Sequence, residues 1–264
     1  YHKSPYHGFS VEFAEHRSYG HGDEVRHIDW KLYGKTDRYY VKRFEEETNV
    51  RSHILLDSSQ SMKFGSGSVN KLSYATYLSA ALTYLMLSQK DAVGLVLFDE
   101  KIKKFIPPKS TQSHSNIIMK TLEKVTPGYD TQIQPVLDSM AERIRKRGLI
   151  ILISDLLDDP EKVLMGLKHF RYNKQEIIVF HLMDPEEYNF DFGERIQFTD
   201  MESGESITTD PWHIRKAYKN QIDHFNKTYQ YGCRNLKIDY VPLFTNQPLD
   251  IALNEFLNKR QKLK

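Results

Sequence analysis

The sequence lacks several features that define particular classes of protein. Its 264 residues include one cysteine, Cys233, which excludes an internal disulfide framework and a zinc site built from cysteines. No run approaches the ~18 consecutive apolar residues of a membrane span. Lysine and arginine total 37 against 35 aspartate and glutamate, so the formal net charge is only +2. We therefore expect neither nucleic acid nor an anionic membrane as the main partner of this fragment.

The single cysteine also favours a reducing compartment, and we predict a cytoplasmic protein. The sequence begins with Tyr1 rather than methionine, so we interpret it as a fragment whose missing N-terminus could alter this localisation. Hydrophobic residues make up 39% of the chain and aromatic residues 12%. That content is sufficient for a sizeable buried core and excludes general disorder.

The first fifty residues differ in composition from the rest. They are rich in histidine, arginine, tyrosine and glycine, and they end in a strand-like run, Tyr39–Phe44, followed by three glutamates. We predict an N-terminal extension at residues 1–48, packed on a main domain at residues 49–264.

The main domain alternates between apolar runs and helical patterns. Strands are predicted at 53–56, 92–98, 102–106, 149–154, 176–182 and 237–241, with a further strand pair at 195–198 and 205–208. Helices are predicted at 71–89, 115–124, 133–146, 160–170, 211–231 and 249–258. This alternation predicts an α/β fold: a doubly wound, mostly parallel sheet with helices on both faces.

Polar residues stand where the central apolar runs stop. Asp57 ends the first strand and is followed by Ser59 and Ser61, Asp155 follows the run at 149–154, and Thr131 precedes a predicted helix. Loops at the carboxyl ends of parallel strands meet at one edge of the sheet. Two carboxylates and three hydroxyls are hard oxygen donors that suit Mg²⁺, with Mn²⁺ and Ca²⁺ as alternatives. Such a set leaves a coordination position open to water or to another molecule's carboxylate.

This pattern resembles the metal-ion-dependent adhesion site of von Willebrand factor A domains. The resemblance rests on Asp-x-Ser-x-Ser after a strand, a threonine in a Gly-Tyr-Asp-Thr turn, and an aspartate after a later strand. It implies direct coordination by Ser59, Ser61 and Thr131, with Asp57 and Asp155 often acting through water. The alternative is that the aspartates only cap loops or helices, and that Asp130-Thr131 is an ordinary helix N-cap.

The N-terminal extension adds a second resemblance. The segments Ser4–Phe13, Arg17–Tyr19, Arg26–Lys31 and Val41–Glu47 look like the bacterial family called domain of unknown function 58. That family joins such a leader to a von Willebrand A-like domain. The resemblance implies a protein that works with a MoxR-type AAA+ ATPase, or with that ATPase's client, in the assembly or maturation of other proteins.

Three functions follow as hypotheses. The first is a non-enzymatic interaction module whose metal binds a partner's carboxylate. The second is a metal-dependent hydrolase or phosphotransferase using Asp57 and Asp155. Phosphatases of the haloacid dehalogenase type use Asp-x-Asp, however, and Ser59 replaces the second aspartate; nucleophile-elbow, Walker A and dinucleotide-binding motifs do not occur either. The third is RNA binding, which the near-balanced charge argues against. We predict the first.

Overall fold

The structure is a computed structural model, and it describes residues 10–47, 50–128, 132–190, 196–199, 206–209, 211–250 and 253–254. The chain divides into two units, Tyr1–Val50 and Arg51–Lys264.

The described residues of the first unit form an antiparallel strand pair, a short α-helix and a 3₁₀ turn, Val25–His27. Strand β1 (Ser10–Ser18) pairs with β2 (Tyr40–Glu47), and helix α1 (Trp30–Thr36) lies between them in sequence. The carboxylate of Asp29 caps α1 by accepting hydrogen bonds from the Lys31 and Leu32 amides at 3.0 and 3.1 Å. A carboxylate at this position satisfies amides that have no partner within the helix.

The second unit contains a six-stranded sheet in the order β10-β7-β6-β3-β4-β5. Its strands are β3 (Arg51–Asp57), β4 (Ala92–Phe98), β5 (Ile102–Lys109), β6 (Leu149–Ser154), β7 (Glu176–Met183) and β10 (Asp239–Phe244). Five strands are parallel, and β5 forms an antiparallel hairpin with β4. A separate ribbon pairs β8 (Ile196–Thr199) with β9 (Ser206–Thr209).

Six α-helices accompany this sheet in the part of the chain that the structure describes. They are α2 (Lys71–Ser88), α3 (Gln112–Leu122), α4 (Ile133–Arg143), α5 (Pro160–Tyr172), α6 (Pro185–Asn189) and α7 (Pro211–Asn235). All six residues of β6 are buried, as an apolar central strand covered on both faces requires. The predicted α/β fold with a mostly parallel sheet is therefore confirmed.

The strand order places a topological switch point at β3. The chain leaves β3 for β4 on one side, and later returns to β6 on the other side of β3. The loops after β3 and β6 consequently leave two adjacent strand ends in opposite directions. The crevice between such loops is where open α/β sheets bind ligands.

The predicted elements differ from the observed ones mainly at their ends. The last strand begins at Asp239 rather than 237, and α4 stops at Arg143 rather than 146 because the backbone at Ile144 leaves helical geometry. β1, α1 and α6 were not predicted. Most of the helix predicted at 249–258 lies outside the described residues. Among the helices that the structure describes, none has both the length and the hydropathy to cross a bilayer.

Candidate metal centre

Four neighbouring parallel strands end in an aspartate at the same edge of the sheet. Asp57 is the last residue of β3, while Asp99, Asp155 and Asp184 directly follow β4, β6 and β7. All four side chains are buried. Only Asp57 and Asp155 were predicted as site residues, although the same signal, an aspartate directly after an apolar run, marks the other two in the sequence.

Two of these aspartates have complete sets of partners within the fold. Oδ2 of Asp99 lies 3.0 Å from the Lys103 ammonium. Asp184 accepts four hydrogen bonds, two from Ser66 and one each from the Glu186 amide and the Thr245 hydroxyl. Although burial opposes ionisation, these donors hold the pKa of Asp184 below its ordinary value. Both carboxylates are therefore explained as structural groups.

The negative charge of the Asp57 carboxylate is less well compensated by neighbouring groups than that of Asp99 or Asp184. The Asp57 carboxylate accepts hydrogen bonds from the Ser154 hydroxyl at 2.6 Å and from the Ser59 amide at 2.9 Å. Among the residues that the structure describes, no basic side chain pairs with it. Burial, followed by the charge of Asp155, raises the pKa of Asp57 to about 7. An ionised Asp57 in this position needs a further positive charge.

The two predicted serines lie together beside Asp57. Oγ of Ser59 is 3.1 Å from Oγ of Ser61, which begins a short 3₁₀ turn, Ser61–Lys63. Ser58, between Asp57 and Ser59, faces elsewhere: its hydroxyl donates to the Phe98 carbonyl at 2.9 Å. The loop thus brings two hydroxyl oxygens together and leaves the third to fasten β3 to β4.

Thr131 lies outside the described residues, but residues close to it in sequence are at this edge. The amide of Gly128 donates to the Ser58 carbonyl at 2.7 Å. On the other side, the Ile133 amide at the start of α4 donates to Oδ2 of Asp158 at 2.9 Å, in the loop after β6. Asp158, in the loop between β6 and α5, therefore supports the start of α4.

Asp155 is engaged by a group that sequence reasoning missed. Nζ of Lys71, the first residue of α2, lies 2.8 Å from Oδ2 of Asp155. The same ammonium lies 3.1 and 3.0 Å from the two carboxylate oxygens of Glu187 on α6. Burial alone would lower the pKa of Lys71, but the charges of Asp155 and Glu187 outweigh this effect and raise it, so the lysine is charged. Lys71 lies on the same buried stripe of α2 as Ala75, Leu78 and Leu82.

His181 supports Asp155 from the other side. Its Nε2 lies 2.9 Å from the Asp155 carbonyl, and its Nδ1 lies 2.5 Å from the Tyr240 hydroxyl. A carbonyl can only accept, so Nε2 carries the proton and Nδ1 accepts from Tyr240. Burial lowers the pKa of His181 to about 4, which keeps the imidazole neutral. Next to it, a cavity of about 30 Å³ is bordered by Asp155, His181 and Glu187.

The side chains at this edge offer hard oxygen donors of the kind that divalent cations bind, but few of these donors are carboxylates free of other partners. In the part of the chain that the structure describes, no three histidine, cysteine or acidic side chains cluster as metal ligands. A cation bound here would therefore need hydroxyl ligands, and the Ser59–Ser61 pair beside Asp57 offers two hydroxyl oxygens. Asp155 has one oxygen already engaged by Lys71. The predicted residues other than Thr131 thus lie at one edge of the sheet.

Comparison with known proteins places this chain among uncharacterised relatives. An uncharacterized protein of Mycobacterium tuberculosis is 24% identical over 201 residues, which cover 75% of this chain. The chain matches 62% of that relative's length.

Two solved structures show the same fold. One is an aerotolerance-related membrane protein from Bacteroides fragilis, with a TM-score of 0.56 and 18% identity, covering 81% of this chain and 99% of that one. The other is BatB from Bacteroides thetaiotaomicron, a conserved hypothetical protein, with a TM-score of 0.51, 16% identity and the same coverage of both chains. A model of a protein family of unknown function, DUF58, matches residues 15–228, and the chain belongs to that family.

Proposed function

We propose that this protein is a non-enzymatic interaction module that binds a carboxylate of a protein partner through a divalent cation, with Mg²⁺ as the expected ion. The ligands would be Ser59, Ser61 and Thr131, with Asp57 and Asp155 close by. The observation that carries the proposal is Asp57: a buried carboxylate that accepts hydrogen bonds from the neutral groups of Ser154 and Ser59 and, among the described residues, has no basic partner, next to a pair of hydroxyls.

The proposed ion would supply positive charge and an open coordination position for a carboxylate oxygen of the partner. The residues themselves do the remaining work. Ser154 and the Ser59 amide orient Asp57. His181 and Lys71 hold the backbone and side chain of Asp155. This preorganisation reduces the cost of ordering the site when a partner binds.

The enzymatic alternative uses the same Asp57 and Asp155, but two other titratable groups in contact with Asp155, His181 and Lys71, do not support it. A hydrolase or phosphotransferase requires a general acid or base near the reacting group. His181 is held neutral with both ring nitrogens engaged, and Lys71 is paired with two carboxylates. Neither group is available for proton transfer in this arrangement. The corresponding test is turnover of phosphatase and peptidase substrates with Mg²⁺ or Mn²⁺, and we expect none.

The partner that we propose is a MoxR-type AAA+ ATPase or its client, on the basis of the family resemblance in the sequence. Binding of the purified ATPase to immobilised wild-type chain should depend on Mg²⁺ and be lost in EDTA. We expect no nucleic-acid partner. We also expect the interaction to take place in the cytoplasm. Metal-independent binding of the ATPase would show that the two proteins associate through a different surface.

The metal site itself is tested by isothermal titration of Mg²⁺ and Mn²⁺ into the wild type and into D57A. We expect binding in the wild type and its loss in D57A, with circular dichroism showing that the variant is folded. S58A is the matched control, since the Ser58 hydroxyl bonds to the Phe98 carbonyl. Equal affinity of the wild type and D57A would overturn the proposed site.

A further inference from the structure

Lys71 is a fully buried cation at the edge of the proposed metal site. Its three N–H donors face three carboxylate oxygens: Oδ2 of Asp155 at 2.8 Å and both oxygens of Glu187 at 3.0 and 3.1 Å. The ring of Phe64 covers the ammonium, with its centroid 5.8 Å from Nζ. The ammonium is thus saturated with hydrogen bonds within the fold.

Stability alone is a weak explanation for a charged group at this position. Lys71 stands on the buried stripe of α2 with Ala75, Leu78 and Leu82, where an aliphatic side chain would pack without a desolvation cost. Buried ion pairs replaced by apolar residues of similar size are often neutral or even stabilising. The lysine charge lies against Asp155, a carboxylate of the proposed metal site. This position points to a role at that site.

We infer that Lys71 is an internal counter-cation that sets the divalent-cation affinity of the site, and that Glu187 modulates it from α6. The ammonium compensates the charge of Asp155, so a divalent ion meets a less negative site and must share that carboxylate. Glu187, with its side chain one quarter exposed, takes part of the ammonium's hydrogen bonding and returns negative charge to the cluster. This inference rests on the proposed function, since it concerns the same site.

The inference predicts opposite effects for the two partners of one ion cluster. In K71M the lysine charge is removed, Asp155 is released, and Mg²⁺ and Mn²⁺ should bind more tightly by about tenfold. In E187Q a negative charge is removed and the ammonium turns towards Asp155, so binding should weaken by about tenfold. A purely structural role would lower stability in both variants without affinities that move in opposite directions.

The experiment is isothermal titration of MgCl₂ and MnCl₂ into the 264-residue chain as wild type, K71M, E187Q, D57A and K71M/D57A. K168M is the matched control, because it removes the same charge from an exposed position in the middle of α5. We expect its affinity to equal that of the wild type. Circular dichroism and thermal unfolding of each variant establish that it is folded. Should K71M fail to fold, E187Q carries the test alone, and unchanged or tighter binding there would overturn the inference.

The outcomes separate the inference from the function on which it rests. Wild-type binding that D57A abolishes, with K71M tighter and E187Q weaker, supports both. If the wild type binds the metal, D57A does not, and K71M binds no more tightly than the wild type, the role of Lys71 is overturned and the proposed site stands. Binding that appears only in K71M, and that K71M/D57A lacks, supports the counter-cation and overturns the metal-dependent function. An absence of binding in every variant overturns both.

Discussion

The hydroxyl of Ser154 donates a 2.6 Å hydrogen bond to Oδ2 of Asp57, and it joins the ends of the two central strands, β6 and β3. The Ser154 hydroxyl oxygen also accepts a hydrogen bond from the Leu156 amide at 2.9 Å. Ser154 therefore connects the carboxylate to the backbone turn that follows β6. In that turn Leu156 has a φ of 55°, a left-handed conformation that is unfavourable for a leucine and needs support from its surroundings.

We expect S154A to lower the free energy of unfolding by about 1–3 kcal/mol, because the buried Leu156 amide loses its acceptor. The Ser154 hydrogen bond also opposes the rise in the pKa of Asp57, so that pKa should rise further in the variant. Urea unfolding measures the first effect, and a carbon-13 titration of the carboxylates in the metal-free protein measures the second.

S52A is the control for this measurement. The hydroxyl of Ser52, on β3, is buried and has no hydrogen-bond partner among the described residues. Its removal should leave stability unchanged or slightly higher. Equal destabilisation in S52A and S154A would indicate that the hydrogen bonds of Ser154 do not matter.

The serines of the Asp57 loop should differ in whether their substitution affects Mg²⁺ binding or only stability. S59A and S61A each remove a proposed ligand, and we expect each to weaken Mg²⁺ binding by about tenfold or more, because few neutral oxygens remain. S58A should leave Mg²⁺ affinity unchanged but lower stability by about 1 kcal/mol, since it loses the bond to the Phe98 carbonyl. Titration calorimetry with parallel thermal melts distinguishes these effects, and a loss of affinity in S58A equal to that in S59A would contradict the assignment.

His53 should make the protein sensitive to acid. Burial, with a smaller contribution from the charge of Arg51, lowers the pKa of His53 to about 4 from an ordinary value of 6.5. Between these two values the unfolded chain binds a proton that the folded chain does not. Stability should therefore be lost as the pH falls from about 6.5 to 4, by up to about 3 kcal/mol for this histidine.

The variant H53F removes this titration and places an aromatic ring beside Phe105, whose ring already lies against the imidazole. Its free energy of unfolding should fall less steeply with acid than that of the wild type, as measured by urea unfolding from pH 4 to 8. Above pH 7 the imidazole is neutral in both states, so the difference between the two proteins should there be independent of pH. Parallel curves over the whole range would rule out the assignment.

Gly94 should be required for the hairpin at the edge of the sheet. A Cβ atom at this position would lie 2.7 Å from the Ile106 carbonyl oxygen and 3.0 Å from the Pro108 nitrogen, both backbone atoms of β5. We expect G94A to lower the free energy of unfolding by about 1–3 kcal/mol through displacement of β5. G67A is the control, because a Cβ there meets nothing within 4 Å. Comparable destabilisation in both would contradict the close-approach argument.

The fold class and part of the site could be predicted from local patterns alone. The runs that became β4, β6 and β7 are continuous and apolar, so burial on both faces follows from composition. Asp57 and Asp155 follow from the rule that ligands bind at the carboxyl ends of such strands. β1 escaped prediction because charged residues interrupt its alternation, and α1 because it is short and contains glycine. The boundary of the N-terminal extension and its packing on the main domain stay predictions.

The partners of the site depended on the tertiary structure. Lys71 is 84 residues from Asp155 and 116 from Glu187 along the chain, and Ser66 is 118 residues from Asp184. The sequence predicted the helix that carries Lys71, but it did not predict that this lysine is buried on the same stripe as Leu78 and Leu82. Which carboxylates surround its ammonium follows only from the strand order, because that order brings the ends of β3, β6 and β7 side by side. Burial is a property of a segment, whereas the compensation of a buried charge is a property of the assembled sheet.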